Sequence, residues 1–356
     1  MTIRWGIIGC GDVTEIKSGP GFQQARGSEL VAVMRRDAER AADYARRHDV
    51  PRWYDDAQQL IDDPQVDAVY IATPVGSHLE HALRVCAAGK PCYVEKPMAR
   101  SHAEAQRMVE AFAAAGLPLF VAYYRRALPR FLKARELLAA GRLGTITSIS
   151  YRFHSPAHRK AYTDGLPWRV QVAQSGAGLF LDLGSHTLDI LDFLLGPLHH
   201  VQGHAVNRAS PYDAEDVVSM SFTAGEAGVP GVPGAACWNF AAAVSDDRIV
   251  IDGTDARLSL STFGNEPIEL HTDAGVQCFD LPNSRHVQLP LIQTLVDQLA
   301  GQGVCESTGP SGARASAVMD AALNAYYAGR DDAFWQRPQT WPGRRDLPAH
   351  SKPAQR

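Results

Sequence analysis

The sequence has no pattern that would bind a structural metal or form a disulfide framework. Its six cysteines, Cys10, Cys86, Cys92, Cys237, Cys278 and Cys305, form no C-x-x-C pair and no zinc-type spacing. Cys10 and Cys92 fall in apolar runs that read as core strands, which fits buried free thiols in a reducing cytoplasm. No apolar run reaches the ~18 residues that a membrane-spanning helix needs. The opening MTIRWGIIGCG enters a strand directly, without the pattern of a signal peptide. Neither sign of charge is in large excess, with 35 Lys and Arg against 39 Asp and Glu. A net charge of -4 gives no reason to expect nucleic acid or an anionic membrane as a partner. No G-x-S-x-G elbow is present, which argues against a serine hydrolase of that type. The expectation is a cytoplasmic protein that handles a small molecule, with no metal.

The chain has 356 residues, of which 45% are hydrophobic, enough for roughly two domains. The first ~120 residues alternate short apolar runs with helical patterns, the sequence form of repeated βαβ units. The strand runs are RWGIIG, ELVAVM, VDAVYIA, CYVE and LPLFVAY, and the helical runs are AERAADYARRH, SHLEHALRVCAAG and HAEAQRMVEAFAAAG. The strands lack polar alternation, so both faces of their sheet are covered, as in a doubly wound fold. After Tyr124 the rhythm changes. ALPRFLKARELLAAG is helical, TITSISYRFH reads as a strand, and LDLGSHTLDILDFLLG is again helical. Strand-like runs then follow one another (HVQGHAVNR, DVVSMSFT, AACWNFAAAV, RIVIDGT, ARLSLST, PIELHT), which suggests an antiparallel sheet. GEAGVPGVPG reads as a flexible hairpin loop. Two helices, near Leu289–Gly301 and Gly312–Gly329, precede a tail rich in proline and charge. The expected organisation is an N-terminal nucleotide-binding domain over 1–123, a C-terminal domain for substrate and oligomerisation over 124–340, and a tail over 341–356.

Four motifs carry chemistry. GIIGCGDVT places Gly9, Cys10, Gly11, Asp12 and Val13 directly after the first strand. This is G-x-G-x-x-G with Thr14 at the third glycine, where backbone can approach a pyrophosphate at a helix start. The tip of the next strand reads VAVMRRDAER. Met34 stands where an NAD site usually has its ribose-binding acid, and Arg35 and Arg36 follow it. Guanidinium groups suit a 2′-phosphate, so NADP is the expected cofactor, with NAD possible. Asp37 reads as the cap of the following helix. Thr73, Pro74 and His78 in IATPVGSH end another strand and would line the cofactor at the same sheet edge. His78 and His81 stand three apart, but no third metal ligand accompanies them. Glu95, Lys96 and Pro97 end a further strand on that edge. Alone, Glu-Lys-Pro would be a solvated turn; here it falls near the nicotinamide, and its proline could hold a cis bond.

The fourth motif is SGAGLFLDLGSHTLDILDFL. On a continuous helix Asp182, His186 and Asp189 share one face. A neutral imidazole beside a carboxylate can act as a general base, oriented by the acid. The alternative is a helix start in which Asp182 caps and His186 is a core residue.

Together, GCGDVT, ATPVGSH, EKP and DLGSHTLD resemble the Gfo/Idh/MocA oxidoreductase family over nearly the whole chain. The resemblance implies a Rossmann doubly wound parallel sheet followed by an α/β domain with a large, mostly antiparallel sheet. It implies that Lys96 contacts nicotinamide and the reacting hydroxyl, and that Asp182 and His186 hold and deprotonate the substrate. Tyr124, Trp168 and Arg169 would line the pocket. Departures are Thr14 at the third glycine and Ala177 in a segment that is often all glycine. The implied reaction moves hydride between nicotinamide and a secondary alcohol or ketone of a sugar, polyol or related cyclic compound. A non-catalytic sensor or regulator on the same fold is the alternative, but it would be expected to lose the lysine or the histidine. The resemblance also implies a homodimer or homotetramer, paired through the open face of the C-terminal sheet. AACWNFAAAV is apolar on both alternations, so that face would otherwise show Trp238 or Phe240 to water.

Overall fold

The computed structural model describes residues 2–157 and 165–341. Six short strands build the first sheet: β1 (Ile3–Ile8), β2 (Ser28–Met34), β3 (Arg52–Tyr54), β4 (Ala68–Ile71), β5 (Cys92–Val94) and β6 (Leu119–Val121). All pairs are parallel, in the order β3-β2-β1-β4-β5-β6. The order reverses between β1 and β4, the switch point at which open α/β sheets bind ligands. Register puts the strand tips level. Ile8 pairs with both Met34 and Ile71, Ile71 with Val94, and Val94 with Val121. The residues that follow these tips are therefore neighbours along one edge.

β3 was not legible as a strand, because it is three residues long at the sheet edge and its residues are only partly buried. Asp37 caps its helix as expected, accepting from the Arg40 amide. The other edge strand, β6, does not end the layer. The Val121 amide donates to Ser307 O, and the Ser307 hydroxyl to Val121 O. A segment from near the end of the chain thus covers the open edge that unpaired strands otherwise present.

The second sheet has eight strands: β7 (Ile146–His154), β8 (Leu198–Val206), β9 (Val217–Ala224), β10 (Val232–Asn239), β11 (Asp246–Gly253), β12 (Arg257–Leu260), β13 (Ile268–Thr272) and β14 (Gly275–Phe279). Their order is β14-β13-β12-β11-β7-β10-β9-β8. Every pair is antiparallel except β7 with β10, which run parallel. β14 escaped the sequence reading because it is an exposed edge strand without an apolar face. The supposed loop GEAGVPGVPG is partly strand. β10 begins at Val232, which pairs with Ala224, so the ladder continues into the glycine-rich run.

The expected outward apolar face is also corrected. Trp238 and Phe240 are fully buried. Trp238 packs against Tyr151 and Phe180 at ring-centroid distances of 5.2 and 4.9 Å. The alternate positions, Ala235 and Cys237, face outward with Ser150, Ser219 and Ser221. Trp341, placed in the expected tail, is instead buried against Phe334 at 5.2 Å; residues 342–356 lie outside the described residues. No helix among the described residues is long and apolar enough to cross a membrane.

Candidate active site

The cradle after β1 forms as its glycines require. Gly9 sits at φ +93°, and a Cβ there would lie 2.9 Å from the Thr73 amide nitrogen. The fold itself therefore demands glycine at this position. Gly11 differs. A Cβ added to it would meet nothing nearer than 3.9 Å, so the protein leaves open space above this backbone. Thr14, in the third-glycine place, is buried; its hydroxyl donates to Gly11 O at 2.8 Å and accepts from the Gly11 amide at 3.0 Å. It closes the turn where a glycine would only leave room. Cys10 is buried and burial pushes its thiol up to about 11, so only its backbone faces the cradle chemistry. Arg35 crosses the cradle, with Nη1 donating to Cys10 O at 3.3 Å, and Arg36 is exposed beside it.

Two expected cofactor contacts turn inward. His78 is buried, with Nε2 2.9 Å from Thr73 O and Nδ1 3.2 Å from Pro97 O. Burial lowers its pKa against the pull of these carbonyls. The ring braces the tip of β4 against the segment after β5 and has no face left for a cofactor. Glu95 is likewise buried. Its carboxylate accepts from Tyr70 Oη and Gln288 Nε2, each at 2.6 Å, and from the Lys96 amide at 3.0 Å. Gln288 in turn accepts from Tyr93 Oη at 2.8 Å. The peptide bond between Lys96 and Pro97 is cis.

Lys96 points the other way. Its Nζ lies 2.6 Å from Asp182 Oδ1 and 3.0 Å from Asp182 O. Arg169 Nε reaches the other carboxylate oxygen at 3.2 Å, and its guanidinium lies over the Trp168 ring at 4.7 Å. Burial would raise the Asp182 pKa, but Lys96 and Arg169 outweigh it and hold the carboxyl below its ordinary range. The junction joins the first sheet's edge to the second half of the chain through one charge-assisted contact.

Asp182 and His186 do not lie on one continuous α-helix, as their spacing suggested. Phe180–Gly184 is one π-helical turn, followed by the α-helix Ser185–Leu195. The wider turn changes the register. Asp182 goes to Lys96, and His186 makes no hydrogen bond among the described residues; its Nδ1 is buried without a partner. Phe180 anchors the turn in the core beside Trp238. Gly184 makes room for that, since a Cβ there would lie 2.6 Å from the Phe180 ring. The His186 imidazole is flanked edge-on by Tyr124 at 5.4 Å and Phe263 at 5.8 Å. Burial, reinforced by Arg125 and Lys96, holds its pKa well below the ordinary 6.5. Its surroundings thus favour the neutral imidazole, whose Nδ1 has no hydrogen-bond partner among the described residues.

Sequence reasoning missed the groups that hold this turn. Arg126 gives three bonds to the carboxylate of Asp189, a residue the sequence did suggest, with Nη2 2.7 Å from Oδ1, and Asp192 is shared by Arg126 and Arg314. Glu215 is fully buried; it accepts from the Gly178 amide at 2.9 Å and from Tyr327 Oη at 2.6 Å. Nothing in the run DAEDVV marks one acid as interior and another as exposed. No group of three or more His, Cys, Asp or Glu side chains suited to a metal occurs among the described residues.

A Rossmann edge with an open glycine cradle, facing a lysine, a carboxylate and a neutral histidine, defines a dinucleotide-dependent oxidoreductase. The profile of the "Oxidoreductase family, NAD-binding Rossmann fold" matches residues 3–123, and the "GFO/IDH/MocA C-terminal domain" matches residues 131–259. Oxidoreductase P35 of Formosa agariphila is 34% identical over 91% of this chain and 98% of its own length. Trans-1,2-dihydrobenzene-1,2-diol dehydrogenase of Bos taurus is 29% identical over 79% of this chain and 81% of its own. A solved structure of levoglucosan dehydrogenase with NADH and L-sorbose shares the fold, with a TM-score of 0.82 at 20% identity, covering 91% of this chain and 96% of that one. The chain belongs to the Gfo/Idh/MocA oxidoreductase family. It is an enzyme of the dehydrogenase and reductase class that acts on CH–OH groups.

Proposed function

We propose that this enzyme transfers hydride between a nicotinamide dinucleotide and the secondary alcohol or ketone of a sugar, polyol or related cyclic compound. The observation that carries the reading is the contact of Lys96 with Asp182 beside a neutral, unpartnered His186. A purely binding protein has no use for a buried base without a partner, which costs stability.

The residues present fit the cofactor. The open space above Gly11 would take the pyrophosphate, with Gly9, Cys10, Asp12 and Val13 completing the cradle through backbone. Thr73, Pro74 and Pro97 stand further along the edge. Met34 in place of an acid, with Arg35 and Arg36 behind it, favours NADP through contacts to a 2′-phosphate. Bound nicotinamide would supply the hydride acceptor in oxidation and the donor in reduction. His186 takes the hydroxyl proton as the carbinol carbon is oxidised. Lys96 holds the same oxygen and stabilises the charge developing on it. Asp182 fixes the lysine, and Tyr124, Trp168 and Arg169 bound the substrate space. We assign residues 1–123 to the cofactor and 124–340 to the substrate and to self-association. The likeness to a diol dehydrogenase and the fold shared with levoglucosan dehydrogenase support a sugar-like substrate. The six free cysteines support a cytoplasmic location. Pairing of two copies through the small-residue face around Ser150, Ser219 and Ala235 completes the reading, and light scattering at micromolar concentration should give a dimer or tetramer.

Substrates can be found by following NADPH absorbance with a panel of sugars, inositols, dihydrodiols and cyclic ketones. Turnover of at least one class is expected. A protein that binds NADPH and turns over none of them would favour the sensor reading.

A further inference from the structure

Arg125 precedes the ion-paired Arg126, and its environment is unlike that of its neighbour. It is 7% exposed. Its Nε donates to Thr262 O at 2.9 Å, while Nη1 and Nη2 make no hydrogen bond among the described residues, and Nη1 is buried. The described residues place no carboxylate within 4.0 Å of this guanidinium, whereas Arg126 meets two aspartates. A buried cation without a counter-charge is costly. Here the cost is reduced by stacking over Phe263 at 4.5 Å and Tyr124 at 4.9 Å. Those two rings are two of the three set edge-on to His186. The guanidinium of Arg125 and the imidazole of His186 therefore pack against the same two rings. Arg125 is also the first among the positive charges that depress His186. Nearby, Lys96 and Arg169 share the single carboxylate of Asp182. Lys96, Arg169 and Arg125 together face the one carboxylate of Asp182, an excess of two positive charges in this cluster, and the guanidinium end of Arg125 has no hydrogen-bond partner among the described residues.

We infer that Arg125 is a substrate-binding residue and that the enzyme takes a carboxylate-bearing substrate, an acidic sugar or polyhydroxy acid. The carboxylate pairs with the Nη1 and Nη2 end while the reacting hydroxyl lies at Lys96 and His186. A planar, two-oxygen anion matches the guanidinium fork, and such pairs are the strong, geometrically specific ones. This inference rests on the proposed function for the reaction and adds the chemical class of its substrate.

The test compares D-gluconate with D-glucitol, which differ by a carboxylate in place of a hydroxymethyl group. Titration calorimetry of the full chain, with and without saturating NADP, reads binding without requiring turnover. Wild type should bind gluconate about 10- to 100-fold tighter than glucitol, the scale of a charged hydrogen bond. Arg125→Gln should bring that ratio close to one, and Arg125→Lys should restore part of it. Failure of gluconate to bind, equal binding of the two probes, or a preference that survives Arg125→Gln would overturn the inference. If Arg125→Gln does not fold, the wild-type ratio and Arg125→Lys still decide. Absence of NADP binding would instead count against the proposed function, because the gluconate preference is measured separately.

Discussion

The two sides of the site are held by different means. Lys96 stands on the tip of a parallel sheet whose strand ends are levelled by backbone pairing, and its neighbours Glu95 and His78 brace it from below through short contacts. Asp182 and His186 stand on a π-helical turn and the helix that continues it. These depend on partners far away in sequence: Arg126 on Asp189, Arg314 on Asp192, Glu215 on Gly178. The lysine side is thus levelled by backbone pairing, with buried Glu95 held by neutral donors, and the histidine side rests on buried ion pairs. The first should tolerate substitution in its partners better than the second.

The contrast breaks most severely at Arg126. Arg126→Leu leaves Asp189 buried without its cation, and loss of one member of a buried pair costs about 3–5 kcal/mol. Denaturant unfolding should show that loss, whereas Arg36→Ala on the exposed sheet edge should leave the midpoint nearly unchanged. Equal midpoints for the two variants would remove the distinction.

Next in size is His186. His186→Ala should lower turnover by about 100-fold or more, the usual scale for a general base. The pH dependence has a definite sign. In the proposed reaction the neutral imidazole is the working form in oxidation, and its pKa is depressed below 6.5. kcat/KM for oxidation should therefore hold through neutral pH and fall on the acid side, below 6.5, and the variant should lack that limb. Stability follows the same sign. The unfolded chain binds a proton on His186 below about 6.5 and the folded protein resists it, so stability declines as pH falls through that range. His78, buried and depressed in the same way, adds to this decline.

The smallest effect concerns cofactor choice. Arg35→Ala with Arg36→Ala should weaken NADPH binding by about 10- to 100-fold and leave NADH binding little changed. Fluorescence titration of both cofactors reads the ratio directly. A wild type that binds them equally would contradict the assignment of the two arginines.

The same contrast explains what could be read in the sequence. The strand tips of the first sheet follow from apolar runs ending in Gly9, Met34, Thr73 and Glu95, because each carries its signal within a few residues. β3 and β14 gave none, being short or exposed at sheet edges. Asp182, His186 and Asp189 were identifiable, but not the break between the helical turns that carry them, because a π turn at Phe180–Gly184 has no spacing of its own to announce it. Glu95 and His78 were read as facing the cofactor when both face inward. Their partners, Gln288 and the Pro97 carbonyl, are set by tertiary packing. Trp238 and Phe240 were assigned to a surface for a related reason: a strand apolar on both alternations does not show which face is the core. Arg125 and Arg126 look alike in YYRR, and only the fold separates the paired one from the free one.

The tip of β5 and the π turn meet at Lys96 and Asp182, and the proposed reaction puts its chemistry at that junction. Lys96→Ala tests it most directly, with kcat measured on an identified substrate and NADPH affinity measured on the same preparation. The account predicts a fall in kcat of about 100-fold or more, as for a lost oxyanion donor, with little change in cofactor affinity. Combined with His186→Ala, the losses should be far from additive, since both groups act on one oxygen and its proton. A folded Lys96→Ala protein that keeps most of its turnover would contradict the account and leave Glu95-Lys96-Pro97 as a turn alone.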